Sequence, residues 1–218
     1  MNSGLAAGAA SNLNLKGILH EHRYHWIGCY RHRIRNDACP RRHRGDHLQQ
    51  SRPDTLKEQV RELGPTIKAG TREQAARADI VLVAVNWGKL PAALAGLPDW
   101  DGRIVVDANN PIEAPLFKPV DLKGRVSSEV FATLVPGARV VKAFNHLRAE
   151  ILANDPKGKG GRRVLFYSGD DNAAKAEVAA LIDRIGFASI DLGSLAVGGK
   201  LAQFPGGSLP NQNLIKID

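Results

Sequence analysis

Three short polar clusters stand directly after hydrophobic runs in this chain, and their side chains can hold a ligand by hydrogen bonding. Asn86-Trp87 follows Ile80–Val85 (IVLVAV), Asn109-Asn110-Pro111 follows Ile104–Val106 and Asp107-Ala108, and Asn145-His146 follows Arg139–Phe144 (RVVKAF). Each cluster also has a plain structural reading. Asn and His after a strand make ordinary loop turns or helix caps. Asp107 at a strand end reads as structural, and Asp170-Asp171 read as caps for a helix beginning near Asn172. Lys157–Arg163 (KGKGGRR) imitates a phosphate loop in composition only, because it precedes a strand and reads as an exposed turn.

The elements between the clusters decide where these residues lie. Ile80–Val85 is an unbroken apolar run, as expected of a parallel strand covered on both faces. Ile104–Val106, Arg139–Phe144, Arg163–Tyr167 and Ala188–Leu192 read as further strands. Helices are expected at Asp54–Leu63, with Leu56, Val60 and Leu63 at helical spacing and Gly64-Pro65 as a stop. Thr71-Arg72-Glu73-Gln74 has capping-box spacing and opens a short helix to Ala78. Trp87–Ala95 reads as a helix or long turn, and Ser127–Leu134 and Ala173–Ile185 read as helices. Alternating strands and helices imply an α/β fold with a doubly wound, mainly parallel sheet. In such sheets ligands bind beyond the carboxyl ends of the strands, where all three clusters fall. The loop-rich tail Gln203–Pro210 is placed to cover that end.

Composition divides the chain. It has 218 residues with 43% hydrophobic content, enough for a core of ordinary size, and a net charge of +8. Residues 1–52 hold nine basic and three acidic residues, a net of +6, with six of the seven His and both Cys. A charge confined to one segment says little about the partners of the rest. Cys29, Cys39, His43 and His47 suggest a metal site, but nine residues separate the cysteines where structural zinc sites use two to four. A nucleic-acid arm is the other chemical reading of this segment, although aromatics for base stacking are limited to Tyr24, Trp26 and Tyr30. A disordered basic extension is the bland one. No apolar run approaches the roughly 18 residues of a membrane span. The first residues also lack the pattern of a signal peptide, and two cysteines make no disulfide framework, so a cytoplasmic protein is expected.

The ordered set Ser51-Arg52-Pro53-Asp54-Thr55-Leu56, Ala78–Trp87 (ADIVLVAVNW), Val106–Pro111 (VDANNP), Val141–Asn145 (VKAFN) and Ser168–Asp171 (SGDD) resembles the coenzyme F420-dependent NADP oxidoreductases over residues 52–214. The resemblance implies a Rossmann-like domain at 52–218 with a short C-terminal elaboration, preceded by an anomalous basic segment at 1–51. It implies NADP(H) as cofactor and a planar small-molecule hydride acceptor such as the deazaflavin coenzyme F420. It leaves room for a homodimer and implies neither a membrane nor a nucleic-acid partner. By the same resemblance Ser51 and Arg52 would hold the 2′-phosphate, which suits a forked guanidinium. Ala84, Val85, Asn86 and Trp87 would pass under the nucleotide. Asn110, Pro111 and Asn145 would face the nicotinamide and the acceptor. No side chain is expected to react covalently, because the cofactors carry the chemistry.

The chain departs from the family in its opening. Family members begin with an apolar strand running into G-x-G-x-x-G, whose backbone N–H groups receive the pyrophosphate. His20–Ser51 has no apolar run and no such turn, and the Gly expected before Pro53 is also lacking. The genetic code offers an explanation. Read one base later, the codons for His20-Glu21 contain ATG, and Glu21–Trp26 can become an apolar strand ending in an obligatory Gly. Gly can then be encoded at the places of Gly28 and Arg31. The shifted Asp46–Ser51 allows Ile-Ile-Ser-Asn-Ser-Arg, the family's second strand. Residues 20–51 are therefore expected to be an out-of-frame translation, with the alternatives of a defective nucleotide-binding remnant or a basic nucleic-acid-binding protein.

Overall fold

The computed structural model describes residues 70–113 and 116–217, with Arg61 and the backbone of 24–27. The expected helix at Asp54–Leu63 and the pair Ser51-Arg52 lie outside the described residues, apart from Arg61. Ten strands are described: β1 (Tyr24–Ile27), β2 (Ile80–Val83), β3 (Ile104–Asp107), β4 (Ile112–Glu113), β5 (Lys118–Pro119), β6 (Arg139–Ala143), β7 (Lys157–Gly158), β8 (Gly161–Gly169), β9 (Ala188–Asp191) and β10 (Ile215–Ile217). The helices are α1 (Arg72–Ala75), α2 (Leu90–Leu94), α3 (Ser127–Ala132), α4 (Ala149–Leu152), α5 (Asn172–Arg184) and α6 (Gly198–Ala202), with a 3₁₀ turn at Trp87–Lys89.

The main sheet runs β1-β2-β3-β6-β8-β10, with β9 and β7 also paired to β8, while β4 and β5 form a separate hairpin. The four strands β1, β2, β3 and β6 are parallel neighbours. The core explains why these segments read as unbroken apolar runs. Ile80, Leu82, Ile104, Val106 and Val141 point to one face and meet Ala174, Val178, Leu181 and Ile182 of α5. The alternate residues Val81, Val83, Val105 and Val140 point to the other, against Trp87, Leu90, Trp100 and Phe131. Both faces are covered, so period-two alternation is lost. The fold is thus the mainly parallel, Rossmann-like α/β architecture expected. None of the helices in the described residues is long and apolar enough to cross a membrane.

Two features differ from expectation. Within the segment 1–51, where the family's first strand reads as missing or scrambled, the backbone of β1 pairs in parallel with β2 from Tyr24↔Ile80 to Ile27↔Val83. Tyr24, Trp26 and Ile27 are residue types that favour strands, a local preference the segment's charge obscures. In addition, β8 runs antiparallel to β6. The connection between them contains one helix, α4, four residues long, and the two-residue strand β7. One helical turn rises about 6 Å, while the five residues of β6 span about 17 Å, so that helix cannot carry the chain back for a parallel return. β9 then pairs in parallel with β8 after the full-length helix α5.

The local signals mostly act as read. Thr71 and Gln74 form the reciprocal capping box on α1. Asp171 caps α5 by accepting from the Ala174 N–H, whereas Asp170 accepts from the Leu195 N–H, 3.0 Å away. Lys159 and Gly160, both with positive φ, turn the chain between β7 and β8, so Lys157–Arg163 is a tight hairpin. The C-terminal segment folds back on α6. The Gly207 N–H donates to the Gln203 carbonyl at 2.8 Å and the Leu209 N–H to the Leu201 carbonyl at 3.1 Å. A Cβ on Gly207 would stand 2.3 Å from the Leu201 oxygen, with the Gln203 and Lys200 oxygens also inside 3 Å. Backbone atoms cannot yield as a flexible side chain can. Gly207→Ala is expected to destabilise the chain by about 3 kcal/mol, read as a lowered urea midpoint. A midpoint unchanged from wild type would show that this segment is loosely held.

Candidate functional site

Two hydrogen-bonded frames stand at the carboxyl ends of β2, β3 and β6. The inner one centres on Lys142 and Asp107, both wholly buried, with Nζ 2.9 Å from Asp107 Oδ2. Lys142 also donates to the Asn109 carbonyl. The Asn109 backbone N–H and its Nδ2 both donate to Asp107 Oδ1, at 2.9 and 2.7 Å. Asn109 Nδ2 donates further to the Val83 carbonyl at 3.1 Å, and its Oδ1 accepts from the Val85 N–H at 2.8 Å. Every partner of Asp107 here is a donor, and Lys142 and Asp107 form a wholly buried ion pair. Burial pushes the Lys142 ammonium below the ordinary lysine range, and the charge of Asp107 opposes that. The network ties the turns after the three strands into one unit.

The outer frame joins Asn110 to Asn145. Asn110 Nδ2 donates to the Asn145 carbonyl at 2.8 Å, and Asn145 Nδ2 donates to Asn110 Oδ1 at 3.0 Å. Asn145 Nδ2 also donates to the Ala202 carbonyl at 2.8 Å, and the Phe204 N–H donates to Asn110 Oδ1 at 3.0 Å. The C-terminal segment is thereby fastened to both asparagines. Two carbonyl-type acceptors on Nδ2 fix which way the Asn145 amide points. Its Oδ1 is left buried with no hydrogen-bond partner among the described residues. A buried acceptor without a donor costs about 1–3 kcal/mol, and a ligand N–H removes that cost.

Ala84 and Trp87 are buried, Val85 is half-buried and Asn86 exposed, all at the end of β2. Asn110 is half-buried, and Pro111 and Asn145 are buried. The structure brings Asn110 and Asn145 into direct contact, with Asn109 as the bridge to Val85. Ser51 and Arg52 lie outside the described residues, as do Cys29, Cys39, His43 and His47. Among the described residues no group of three or more His, Cys, Asp or Glu could hold a metal ion. Sequence reasoning did not single out Lys142, and it read Asp107 and Asn109 without pairing either with it. The signal was a lone lysine inside the apolar run RVVKAF.

His146 is buried against Phe166, ring centroids 4.8 Å apart and tilted by 58°. Neither ring nitrogen has a hydrogen-bond partner among the described residues. Burial pushes its pKa from 6.5 down to about 4, and the Val164 backbone acts in the opposite direction. The ring is therefore a neutral core group near neutral pH and is not poised to exchange protons with a ligand.

Comparisons with known proteins give a consistent picture. A family model described as NADP oxidoreductase coenzyme F420-dependent matches residues 47–111. Metalloreductase STEAP3 of Rattus norvegicus is 33% identical over 134 residues, 61% of this chain, but the chain spans only 26% of that protein's length. A hypothetical protein from Sinorhizobium meliloti superposes with a TM-score of 0.71 and 46% identity, over 75% of this chain and 80% of that one. A protein from Arthrobacter sp. FB24, named provisionally as an F420-dependent NADP-reductase, gives 0.55 and 31%, over 66% and 69%.

The inner frame predicts a specific pattern of stability. Lys142→Met leaves Asp107 as a buried unpaired charge and is expected to cost about 3–5 kcal/mol. The double variant Lys142→Met/Asp107→Leu is expected to recover part of that loss and to stay below wild type, because the Asn109 backbone N–H and carbonyl lose their partners, measured by urea unfolding. A single variant as stable as wild type would show that the pair is not charged. His146 predicts a pH dependence. Its folded-state pKa is depressed, so below pH 6.5 the unfolded chain binds a proton that the folded chain refuses until about pH 4. Stability should fall as pH drops through that window, by about 1.4 kcal/mol per unit, and level off below it. His146→Leu should flatten the slope between pH 6.5 and 4.5, and an unaltered slope would assign it to other groups.

Proposed function

The chain belongs to the coenzyme F420-dependent NADP oxidoreductase family, and on that premise we propose that it transfers hydride between NADP(H) and a planar acceptor stacked near Asn110, Pro111 and Asn145. The observation that carries this reading is the unpartnered Oδ1 of Asn145. It is an acceptor at the carboxyl ends of parallel strands, which is where dinucleotides lie in sheets of this kind. The donor set around it is spent, so it fits a ligand that brings its own N–H groups, as a nicotinamide carboxamide does. Val85 is held to Asn109, which keeps the turn after β2 in one conformation for a nucleotide to pass over. NADPH supplies the hydride. The chain's own residues orient the ring and exclude water, with Asn145 accepting a hydrogen bond and Pro111 offering a rigid apolar surface. His146 takes no part in proton transfer. Ser51 and Arg52 would hold the 2′-phosphate, as the family resemblance implies.

A second reading concerns the leading segment. β1 occupies the sheet position beside β2, and in the shifted reading of the codons a strand at 21–25 would run into the first Gly at 26. A chain with His20–Ser51 as written lacks the glycine turn, so its backbone cannot approach a pyrophosphate closely. We therefore infer that the family's function requires the frame-restored segment, and that the chain as written is a weak nucleotide binder.

Both readings are tested by titrating NADPH into the chain as written and into a version recoded in the shifted frame from His20 to Arg52. The recoded chain should bind in the micromolar range and consume NADPH when a deazaflavin is added. The chain as written should bind at least about 100-fold more weakly, the loss of two hydrogen bonds to a charged group. In the recoded chain, Asn145→Ala should weaken NADPH binding by about 10-fold. Micromolar binding by the chain as written would sink the frame argument. No binding by either would sink the NADP reading.

A further inference from the structure

The polarity of the outer frame is set by main-chain groups, which cannot turn over. Asn145 Nδ2 gives its two protons to the Ala202 carbonyl at 2.8 Å and to Asn110 Oδ1 at 3.0 Å. Asn110 Oδ1 also accepts from the Phe204 N–H at 3.0 Å, and Asn110 Nδ2 donates to the Asn145 carbonyl at 2.8 Å. A flipped Asn145 amide would set its oxygen against two acceptors. A flipped Asn110 amide would set its NH₂ group against two donors. The two ends of an amide differ little in shape, so its orientation follows from its hydrogen-bond partners. Here the deciding partners are the main-chain groups of Ala202, Phe204 and Asn145, and two of the three belong to the C-terminal segment.

Anchors elsewhere hold that segment in place. Gln203 Oε1 accepts from the Ser127 N–H at 2.8 Å, and its Nε2 donates to the Pro205 carbonyl at 3.3 Å. Ser128 Oγ donates to the Leu195 carbonyl at 3.0 Å, just ahead of α6. The Asn211 N–H donates to the His146 carbonyl at 2.7 Å, one residue past Asn145. Gly207 sits where a Cβ would meet the Leu201, Gln203 and Lys200 oxygens inside 3 Å. Because the segment cannot shift freely, the Asn145 amide keeps Oδ1 as its spare group, buried and without a donor among the described residues.

Resting on the hydride-transfer reading, we propose that the segment 202–211 is a specificity element. By fixing the Asn145 amide with its acceptor spare, it makes the site select a carboxamide over a carboxylate. A carboxamide brings an N–H to Oδ1. A carboxylate brings only acceptors, repels Oδ1 and leaves it unsatisfied. The ligand class is thus a nicotinamide nucleotide, with its nicotinic acid counterpart refused. Gln203 and Gly207 are positioning residues that act through Phe204 and Ala202.

NADP+ and nicotinic acid adenine dinucleotide phosphate test this, since they differ only in that group. Both are titrated by calorimetry into the chain as written and into the recoded chain. The pyrophosphate is common to both probes, so its contribution cancels in their ratio. NADP+ should bind about 10-fold more tightly. The ratio should fall to within about twofold in Gly207→Ala and in Gln203→Met, where a freed Asn145 amide can turn Nδ2 toward a carboxylate. Gln203→Met removes side-chain bonds without a backbone clash, so it decides the matter even where Gly207→Ala does not fold. The Asn145 side-chain amide is also followed by nuclear magnetic resonance without ligand. Its protons should exchange with solvent at least about 10-fold faster in the variants than in wild type. Equal affinity for the two probes, a preference that survives in the variants, or unchanged amide exchange would overturn the proposal. A preference due only to the probes' net charges is one that survives. The two readings fail separately. NADP+ bound with no preference leaves hydride transfer standing and removes the specificity element. No binding of either probe by either chain removes hydride transfer, while the amide protons still decide whether the segment fixes Asn145.

Discussion

The arrangement of this half of the molecule depends on one buried ion pair. Lys142 and Asp107 sit on adjacent parallel strands with no access to water. Two charges in such a place are tolerable only when their remaining hydrogen-bonding capacity is filled. Asn109 fills it, giving two donors to the carboxylate and a carbonyl to the ammonium. In doing so it reaches across to β2 at Val83 and Val85. The requirement to satisfy one charged pair thereby sets the relative heights of three strand ends. The turns after those strands inherit their geometry from it.

How far this was legible in the residues follows from the range of each interaction. Signals that act within one turn or one strand were readable: the capping box at Thr71, the cap at Asp171, and the doubly covered strands at Ile80 and Ile104. The clusters after the strands were readable too, because a parallel sheet puts its strand ends on one side. The ion pair was not, since Lys142 and Asp107 are 35 residues apart and nothing in the chain says they become neighbours. The hydrogen bond from Phe204 to Asn110 spans 94 residues and was equally hidden. The reversal at β8 depended on the shortness of α4, which a weak helical pattern did not reveal.

The glycines of the C-terminal segment belong to the same logic. A Cβ on Gly199 would lie 2.0 Å from Ser128 Oγ, itself donating to the Leu195 carbonyl, and one on Gly198 would meet Ser168 and Leu192 inside 3 Å. Helix α6 can lie against α3 and β8 only because these positions have no side chain. That close approach brings Ala202 and Phe204 within hydrogen-bonding reach of Asn145 and Asn110. Small residues far along the chain thus help define a site built from strands near its middle.

Both hydrogen-bonded frames are made entirely from residues 83–204. The family's phosphate-holding elements precede that span, and no bond within either frame draws on them. Such separation has an evolutionary meaning. A gene that suffered a lesion in its opening codons would still encode both frames, because they carry their own supports. Selection could then restore such a lost segment by repairing a short stretch of DNA. A lineage could instead keep the surviving half as a scaffold for a ligand that has no pyrophosphate.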